Sequence, residues 1–343
     1  MTEYNSQSSP VQSSPVQSII IPTYNRKEFI ADAINSVLSQ TQKSLEVIVI
    51  DDCSTDGTAD FVKSIADERV HYLRNEKNSG QEVSRMNGFR HARGKYITFL
   101  DDDDYYTDYE FFAKAVSIHE EHEAAGDPLV MVCANAEVVD IKTGKSTLRS
   151  IGEPGRVKGL DFILSRNRYR KPHSTFPTVF RTETLRRAGL ENMIVFDTET
   201  YCQAMLLGDA WFMNDVIGVY RFHEQSTTLG YSNHTAQNKR LDAKVKAMAE
   251  RGVLIAEGIL AIADKKSADK WCMSDARTIL CCYRGQQNYI NEIKTYGQAM
   301  KIMASFTRKV LIIAPFWEIR RFISKITPLR NLYHRYIKRD VWD

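Results

Sequence analysis

From residue 18 the chain alternates short apolar runs with amphipathic segments. The runs at 19–22, 45–50, 70–73 and 96–100 are separated by segments at 29–40, 58–66 and 82–92 whose apolar residues recur at helical spacing. Runs without a polar face suit strands buried on both sides, as in a parallel sheet covered by helices. Parallel neighbours also need crossovers long enough to hold a helix. The repeated strand–helix order therefore predicts an α/β architecture, a doubly wound and mostly parallel sheet with helices on both faces. Ligands of such sheets bind beyond the carboxyl ends of the strands, so the residues that end each run are the first functional candidates.

Around this unit the chain divides by composition. Residues 1–17 repeat Gln-Ser-Ser-Pro-Val and offer almost nothing bulky to bury, which predicts a disordered leader. Between 105 and 230 the pattern is less regular, with a helix expected at 109–123, strands at 129–133 and 137–141, and a turn at Thr143-Gly144-Lys145-Ser146. After Gly230 few turn signals interrupt a helical pattern. The charge changes there too: 25 basic and 33 acidic residues precede that point, 21 basic and 10 acidic follow it. The whole-chain net charge of +3 argues against a dedicated nucleic-acid binder. No apolar run approaches the roughly 18–20 residues of a membrane span, and no secretory pattern follows Met1, so the expected location is cytoplasmic. The 6 cysteines form no C-x-x-C pair and read as reduced, buried thiols.

Several nucleotide signatures fail. The first strand–helix turn has no glycine between Ile19 and Gln40, so a dinucleotide pyrophosphate has no backbone cradle there. Gly144-Lys145-Ser146 lacks the upstream glycine of a phosphate loop, and His119-Glu120-Glu121-His122 lacks zinc-ligand spacing. The strand ends that remain are polar: Pro22-Thr23-Tyr24-Asn25-Arg26, Asp51-Asp52-Cys53-Ser54-Thr55-Asp56-Gly57 and Asp101-Asp102-Asp103-Asp104. Four adjacent carboxylates repel by about 1 kcal/mol per pair in bulk water and about 4 near a protein surface. A cluster straight after an apolar strand favours a bound cation over a solvated acidic loop, and oxygen ligands favour Mg²⁺ or Mn²⁺.

These three strings, in this order, resemble a family 2 glycosyltransferase of the GT-A fold. The resemblance extends to Arg221-Phe222-His223-Glu224-Gln225-Ser226-Thr227-Thr228, similar to an R-x-H-x-x-S-x-T element, and so covers residues 18–230. It implies a catalytic domain with a nucleotide-binding half at 18–104 and an acceptor half at 105–230, followed by a helical, basic C-terminal region at 231–343. It further implies a nucleotide-sugar site in which Thr23 and Tyr24 flank a uracil, with Pro22 and Asn25 also binding the nucleotide, Asp51 or Asp52 accepts the uracil ring N–H, and Arg85 faces base or phosphate. Met86 departs from the family's Asn at the next position, with Asn87 one residue later. Asp101 and Asp102 would lie toward the ribose, Asp103 on a Mn²⁺ or Mg²⁺ that bridges the diphosphate, and His223 on the metal's far side.

The implied reaction is transfer of a sugar from a nucleotide donor, a UDP-sugar by this reading, to an acceptor hydroxyl with inversion at the anomeric carbon. The product class would be a bacterial surface polysaccharide, and the acceptor a saccharide or lipid-linked saccharide. One base suffices for such a displacement. The family's Glu-Asp pair falls on Phe196-Asp197, which makes Asp197 the candidate base, with Glu199 second and a helix N-cap role as the competing reading. A non-catalytic nucleotide-sugar-binding protein has no use for such a base, and a sugar nucleotidyltransferase would carry a glycine-rich loop after the first strand. Residues 301–339 hold 10 Lys or Arg and one acid, with Phe316, Ile319, Ile323 and Ile326 at helical spacing. That basic amphipathic stripe suits a peripheral contact with an anionic membrane surface, packing on the catalytic domain, or a homo-oligomer contact.

Overall fold

The computed structural model of the protein describes residues 14–164, 170, 172, 174–192 and 197–223. The expected leader up to residue 13 and the C-terminal region at 231–343 lie outside these residues.

The first half follows the expected alternation: β1 (Gln17–Thr23), α1 (Lys27–Leu38), β2 (Leu45–Asp51), α2 (Thr58–Lys63), β3 (Val70–Arg74), α3 (Gln81–His91) and β4 (Tyr96–Phe99). A short β5 (Tyr105–Tyr106) leads into α4 (Phe111–Ala124), β6 (Met131–Asp140), β7 (Ser146–Arg149), β8 (Gly155–Val157) and α5 (Gly159–Leu164). Then come β9 (Thr178–Arg181), α6 (Thr182–Arg187), a 3₁₀ turn at Leu190–Asn192, α7 (Asp197–Leu206) and β10 (Ala210–Phe222). The strands form one sheet in the order β3-β2-β1-β4-β9-β6-β10-β5, with β7 beside β6 and β8 beside β10. β1, β2, β3 and β4 are parallel, and β6 and β10 run in the same direction; β9 between the two groups is antiparallel to both.

The apolar runs are buried on both faces, as their composition requires. Ile19, Ile21, Val47 and Val49 join Ile30, Ala33, Ile34 and Val37 of α1 in one core cluster. On the opposite face α3 comes so close that a Cβ on Gly88 would lie 2.5 Å from Ile20 Cγ2 and 3.1 Å from Ile50 Cγ1. Glycine there permits the close helix–sheet approach. Because six strands end at the same sheet edge, the tips of β1, β2 and β4 and the end of β10 gather on that edge.

Three expectations need correction. β1 begins at Gln17, the residue placed at the end of the leader; its side chain is 0% exposed and donates from Nε2 to Thr98 Oγ1 at 3.1 Å. The two strands expected at 129–133 and 137–141 are one strand, β6. Asn135, which reads as a break, stays in the strand because its Nδ2 donates to Asn214 O (3.0 Å) and its Oδ1 accepts from Ile151 N (3.0 Å). The long β10 was not expected, since Asn214-Asp215 interrupts its apolar pattern; the pairing with β6 shifts register on both sides of Val216.

Candidate active site

The centre of the sheet edge is a cluster around Asp103. Its Oδ2 accepts from Arg26 Nη1 and from His223 Nε2, each at 2.9 Å, and these two nitrogens lie 3.2 Å apart. Arg26 immediately precedes α1, while His223 follows β10, so the contact closes the edge between the first and last of the described elements. Phe29 of α1 stacks on the His223 ring at 4.8 Å. Arg221 secures the same corner: its backbone N–H donates to Asp104 Oδ1 (3.0 Å), its Nε to Asp103 O and its Nη1 to Asp32 Oδ2 (2.8 Å).

Charge is distributed unevenly over the four aspartates. Burial raises the Asp103 pKa, but the His223 hydrogen bond and the Arg26 charge outweigh it and hold the carboxyl below its usual range. Burial, then the neighbouring Asp103, pushes Asp102 up to about 8. Asp104 is also raised, by burial and then by Asp103 and Asp101. Its Oδ2 is buried without a hydrogen-bond partner. Asp101, Asp103 and Asp104 can each bring one oxygen within 4.8 Å of the others. An unsatisfied buried carboxylate oxygen beside two more carboxylates and an imidazole is the environment a hard divalent cation would satisfy. The residues present therefore fit the cation that the sequence implied.

A second cluster joins α3, the end of β4 and the start of α7. Asp101 Oδ1 accepts from Gln81 Nε2 and Arg85 Nη2, both at 2.5 Å. Through Nη1 the same arginine reaches Asp197 Oδ1 at 3.0 Å. Asp197 opens α7, and its carboxylate is thus engaged by Arg85. Glu199 lies in the first turn of the same helix. Arg85, Asp101 and Asp197 have side chains only 13%, 15% and 26% exposed, so the pairing sits in a sheltered crevice.

The tips of β1 and β2 are tied to each other. Asn25 adopts φ 52°, its amide donates to Ser54 Oγ (2.9 Å), and its Oδ1 accepts from Thr55 N (2.7 Å). Thr23 is buried and its carbonyl accepts from Asp52 N at 2.8 Å, whereas Tyr24 is 45% exposed. Pro22 pairs in register with Ile50. Asp51 is buried, with Oδ1 accepting from Ser54 N (2.7 Å) and Oδ2 from Tyr72 Oη (2.5 Å) and Arg74 Nη1 (2.8 Å). Burial, with the Asp51 hydrogen bond, moves Tyr72 up to about 12. Asp52 accepts from Asn75 Nδ2 (2.8 Å), Ser79 N (2.8 Å) and Gly80 N (2.7 Å). Both carboxylates are turned inward as braces of the loops. The substitution of Met86 is accommodated: Met86 lines a small apolar cavity with Phe89, Phe99 and Leu190, and Asn87 Nδ2 donates to Asn75 Oδ1 at 2.9 Å, extending the network around Asp52.

Of the residues singled out from sequence, the structure brings together Asp103 with His223 and Arg85 with Asp101 and Asp197. It leaves Asp51, Asp52 and Asn25 in internal networks. Arg26, Gln81 and Arg221 also join these clusters, beyond the residues expected from sequence. A signal for Arg26 was present: a cation just before a helix opposes the helix dipole, so its placement there implies a carboxylate partner. Gly144-Lys145 is the turn of the β6–β7 hairpin, as expected, whereas His119, in a string that suggests a solvated helix face, is a buried core histidine stacked on Tyr96 at 4.6 Å.

Residues 18–190 match the family described as glycosyl transferase family 2. The chain belongs to that family. Among curated relatives, a UDP-Glc:alpha-D-GlcNAc-diphosphoundecaprenol beta-1,3-glucosyltransferase, WfaP of Escherichia coli, is 44% identical over 89 residues, or 26% of this chain and 36% of that protein. The chain thus spans about a third of that relative's length. A GalNAc(5)-diNAcBac-PP-undecaprenol beta-1,3-glucosyltransferase of Campylobacter jejuni is 27% identical over 224 residues, covering 64% of this chain and 69% of the relative. The crystal structure of S. aureus TarS 1–349 in complex with UDP superposes with a TM-score of 0.63 at 19% identity, covering 95% of this chain and 93% of the other. That likeness is one of fold, and it agrees with the GT-A architecture expected from the sequence.

Proposed function

We propose that this family 2 protein transfers a sugar from a UDP-sugar to an acceptor hydroxyl, with inversion and with a divalent cation, and that the acceptor is a lipid-linked saccharide of a bacterial surface polysaccharide. The observation that carries the reading is the pair of clusters on one sheet edge, Asp103–His223–Arg26 and Asp101–Arg85–Asp197. One is suited to a charged leaving group and the other presents a carboxylate beside it. The undecaprenol-linked acceptors in the names of the two relatives support the choice of acceptor class.

In this reading Asp197 takes the proton of the acceptor hydroxyl while that oxygen attacks the anomeric carbon. The bond from that carbon to the diphosphate oxygen breaks, its electron pair leaving with the nucleoside diphosphate. General-base assistance of this kind contributes typically about 10²–10⁴ in rate. Arg85 fixes the Asp197 carboxylate relative to the donor half, which keeps base and donor in register. Asp103 and His223, with Asp104 behind them, would hold Mn²⁺ or Mg²⁺; the bound cation supplies Lewis-acid neutralisation of diphosphate charge. Arg26 adds a fixed positive charge at the same place, and Tyr24 offers an exposed ring for a nucleotide base.

The decisive assay incubates the full chain with a panel of UDP-, GDP- and dTDP-sugars and undecaprenyl-diphosphate-linked saccharides, with and without Mn²⁺, and measures nucleoside diphosphate release. Metal-dependent release with one donor, abolished by Asp103→Ala, is the expected result. Release that is unaffected by Asp103→Ala, or none with any donor and acceptor, overturns the reading.

A further inference from the structure

Residues 141–150 are all exposed, an unbroken run that no other part of the described residues matches. They form the turn of the β6–β7 hairpin and its returning strand, which pairs with β6 alone. The run contains Lys142, Lys145 and Arg149 and no carboxylate. It also shows two large aliphatic side chains, Ile141 at 47% and Leu148 at 54% exposure. Lysines and threonines on a lone edge strand guard against strand-to-strand aggregation. That purpose gives no reason to expose Ile141 and Leu148, which make the edge stickier.

The ribbon is preformed and well placed. Gly144 N donates to Asp140 O (2.7 Å) and Asp140 N to Lys145 O (3.0 Å), while Asp140 Oδ1 accepts from the amides of Lys142 (2.9 Å) and Thr143 (3.1 Å). The acid at the base of the turn is therefore occupied within the turn, and the hairpin's other acid, Glu137, lies across from Leu148 and is only partly exposed. Ile141 N donates to Phe222 O at 3.1 Å, and Asp140 pairs in register with Phe222. The next residue is His223, in contact with Asp103. The ribbon thus leaves the sheet on the same edge as the candidate active site, directly beside it. At the foot of the ribbon Arg170, also exposed, donates its amide to Ile151 O at 2.9 Å and adds a further cation.

We infer that the β6–β7 ribbon is a membrane-docking element that sets Ile141 and Leu148 into an anionic lipid leaflet, with Lys142, Lys145 and Arg149 on the headgroups. Cations near such a leaflet are each worth about 1 kcal/mol, roughly fivefold in partitioning, and small apolar insertions add to that attraction. Because the ribbon stands next to His223, docking through it holds the mouth of the site against the surface in which a lipid-linked acceptor resides. The inference rests on the proposed acceptor class, and among the described residues no helix is long and apolar enough to cross a membrane, so a surface contact supplies the proximity.

The test uses the full chain in flotation with vesicles of phosphatidylcholine alone and of phosphatidylcholine with one third phosphatidylglycerol. Wild-type protein is expected on the anionic vesicles, less so at high salt. The triple variant Lys142→Glu, Lys145→Glu, Arg149→Glu is expected to lose at least tenfold in partitioning. Ile141→Ser with Leu148→Ser should lose at least threefold, with unchanged thermal unfolding and UDP affinity. Three results overturn the inference: no anionic-lipid binding by the wild type, wild-type binding by the charge-reversed triple variant, or a marked loss of thermal stability in the serine variant, which would mean that the remainder of the chain covers Ile141 and Leu148. Nucleoside diphosphate release without vesicles is measured on the same preparations, so failure of the proposed transfer reaction is seen separately from failure of docking.

Discussion

Arg85 Nη1 lies 3.0 Å from Asp197 Oδ1. Through its other terminal nitrogen Arg85 holds Asp101 at the tip of β4, so one guanidinium ties the end of β4 to the start of α7. An ion pair this sheltered contributes little net stability, but breaking it strands a buried charge at a cost of about 3–5 kcal/mol. Its value lies in placement, since a displacement of about 1 Å at a reacting group costs roughly 10² in rate.

Arg85→Lys keeps the charge and gives up the fork, so it can satisfy one carboxylate but not both. Its kcat should fall about 10²-fold, whereas the Kd for UDP measured by calorimetry should change less than about threefold. A large loss of UDP affinity with kcat retained would instead make Arg85 a nucleotide contact.

Asp197→Asn preserves shape and removes the base. The variant is expected to bind UDP and Mn²⁺ as the wild type does and to lose transfer by about 10²–10⁴. The side chain it leaves still accepts a hydrogen bond from Arg85 through its amide oxygen, so thermal unfolding should move little. Turnover near the wild-type value shifts the assignment to Glu199.

Arg26→Ala tests whether a side chain competes with the cation. Arg26 Nη1 occupies the same Asp103 oxygen that a metal would need, 2.9 Å away. Removing that charge lowers the repulsion met by an entering dication, so Mn²⁺ alone should bind the variant more tightly, by about tenfold in titration followed by electron paramagnetic resonance. Weaker Mn²⁺ binding would show that Arg26 serves to fix Asp103 rather than to compete for it.

How far the sequence reaches into this structure depends on what kind of interaction decides each element. β1 to β4 and their helices were legible because burial on two faces writes itself into continuous apolar runs. Asp103 and His223 were legible because the strand ends carry polar strings in a recognisable order. Gln17 and Asn135 were not, because each is polar and yet buried through a partner far along the chain, Thr98 and Asn214. Periodicity contains no record of such partners. The same applies to the internal partners of Asp51 and Asp52, namely Tyr72, Arg74, Asn75 and the amides of Ser79 and Gly80. Arg26 and Arg85 are alike in this respect, with partners that lie 77, 16 and 112 residues away.

His119 gives the fold a defined response to acid. Its ring is 0% exposed, stacked on Tyr96, with Nε2 at 3.0 Å from Val179 O and Nδ1 without a partner. Burial pushes its pKa down from 6.5 to about 4. Above pH 6.5 the imidazole is neutral in both the folded and the unfolded chain, and the folded state keeps its full stability. As pH falls below 6.5 the unfolded chain takes up a proton that the folded one refuses, so stability declines until about pH 4, where the folded imidazole protonates as well. Such a difference amounts to at most about 3 kcal/mol. Urea unfolding of wild type and His119→Phe, followed from about pH 7 to about pH 4.5, isolates the contribution: the midpoint of the wild type should fall more steeply with acid than that of the variant, whose ring cannot titrate. Parallel slopes for the two proteins would show that His119 takes up its proton in the folded state as it does in the unfolded chain, and the buried, neutral arrangement with Tyr96 would then be wrong.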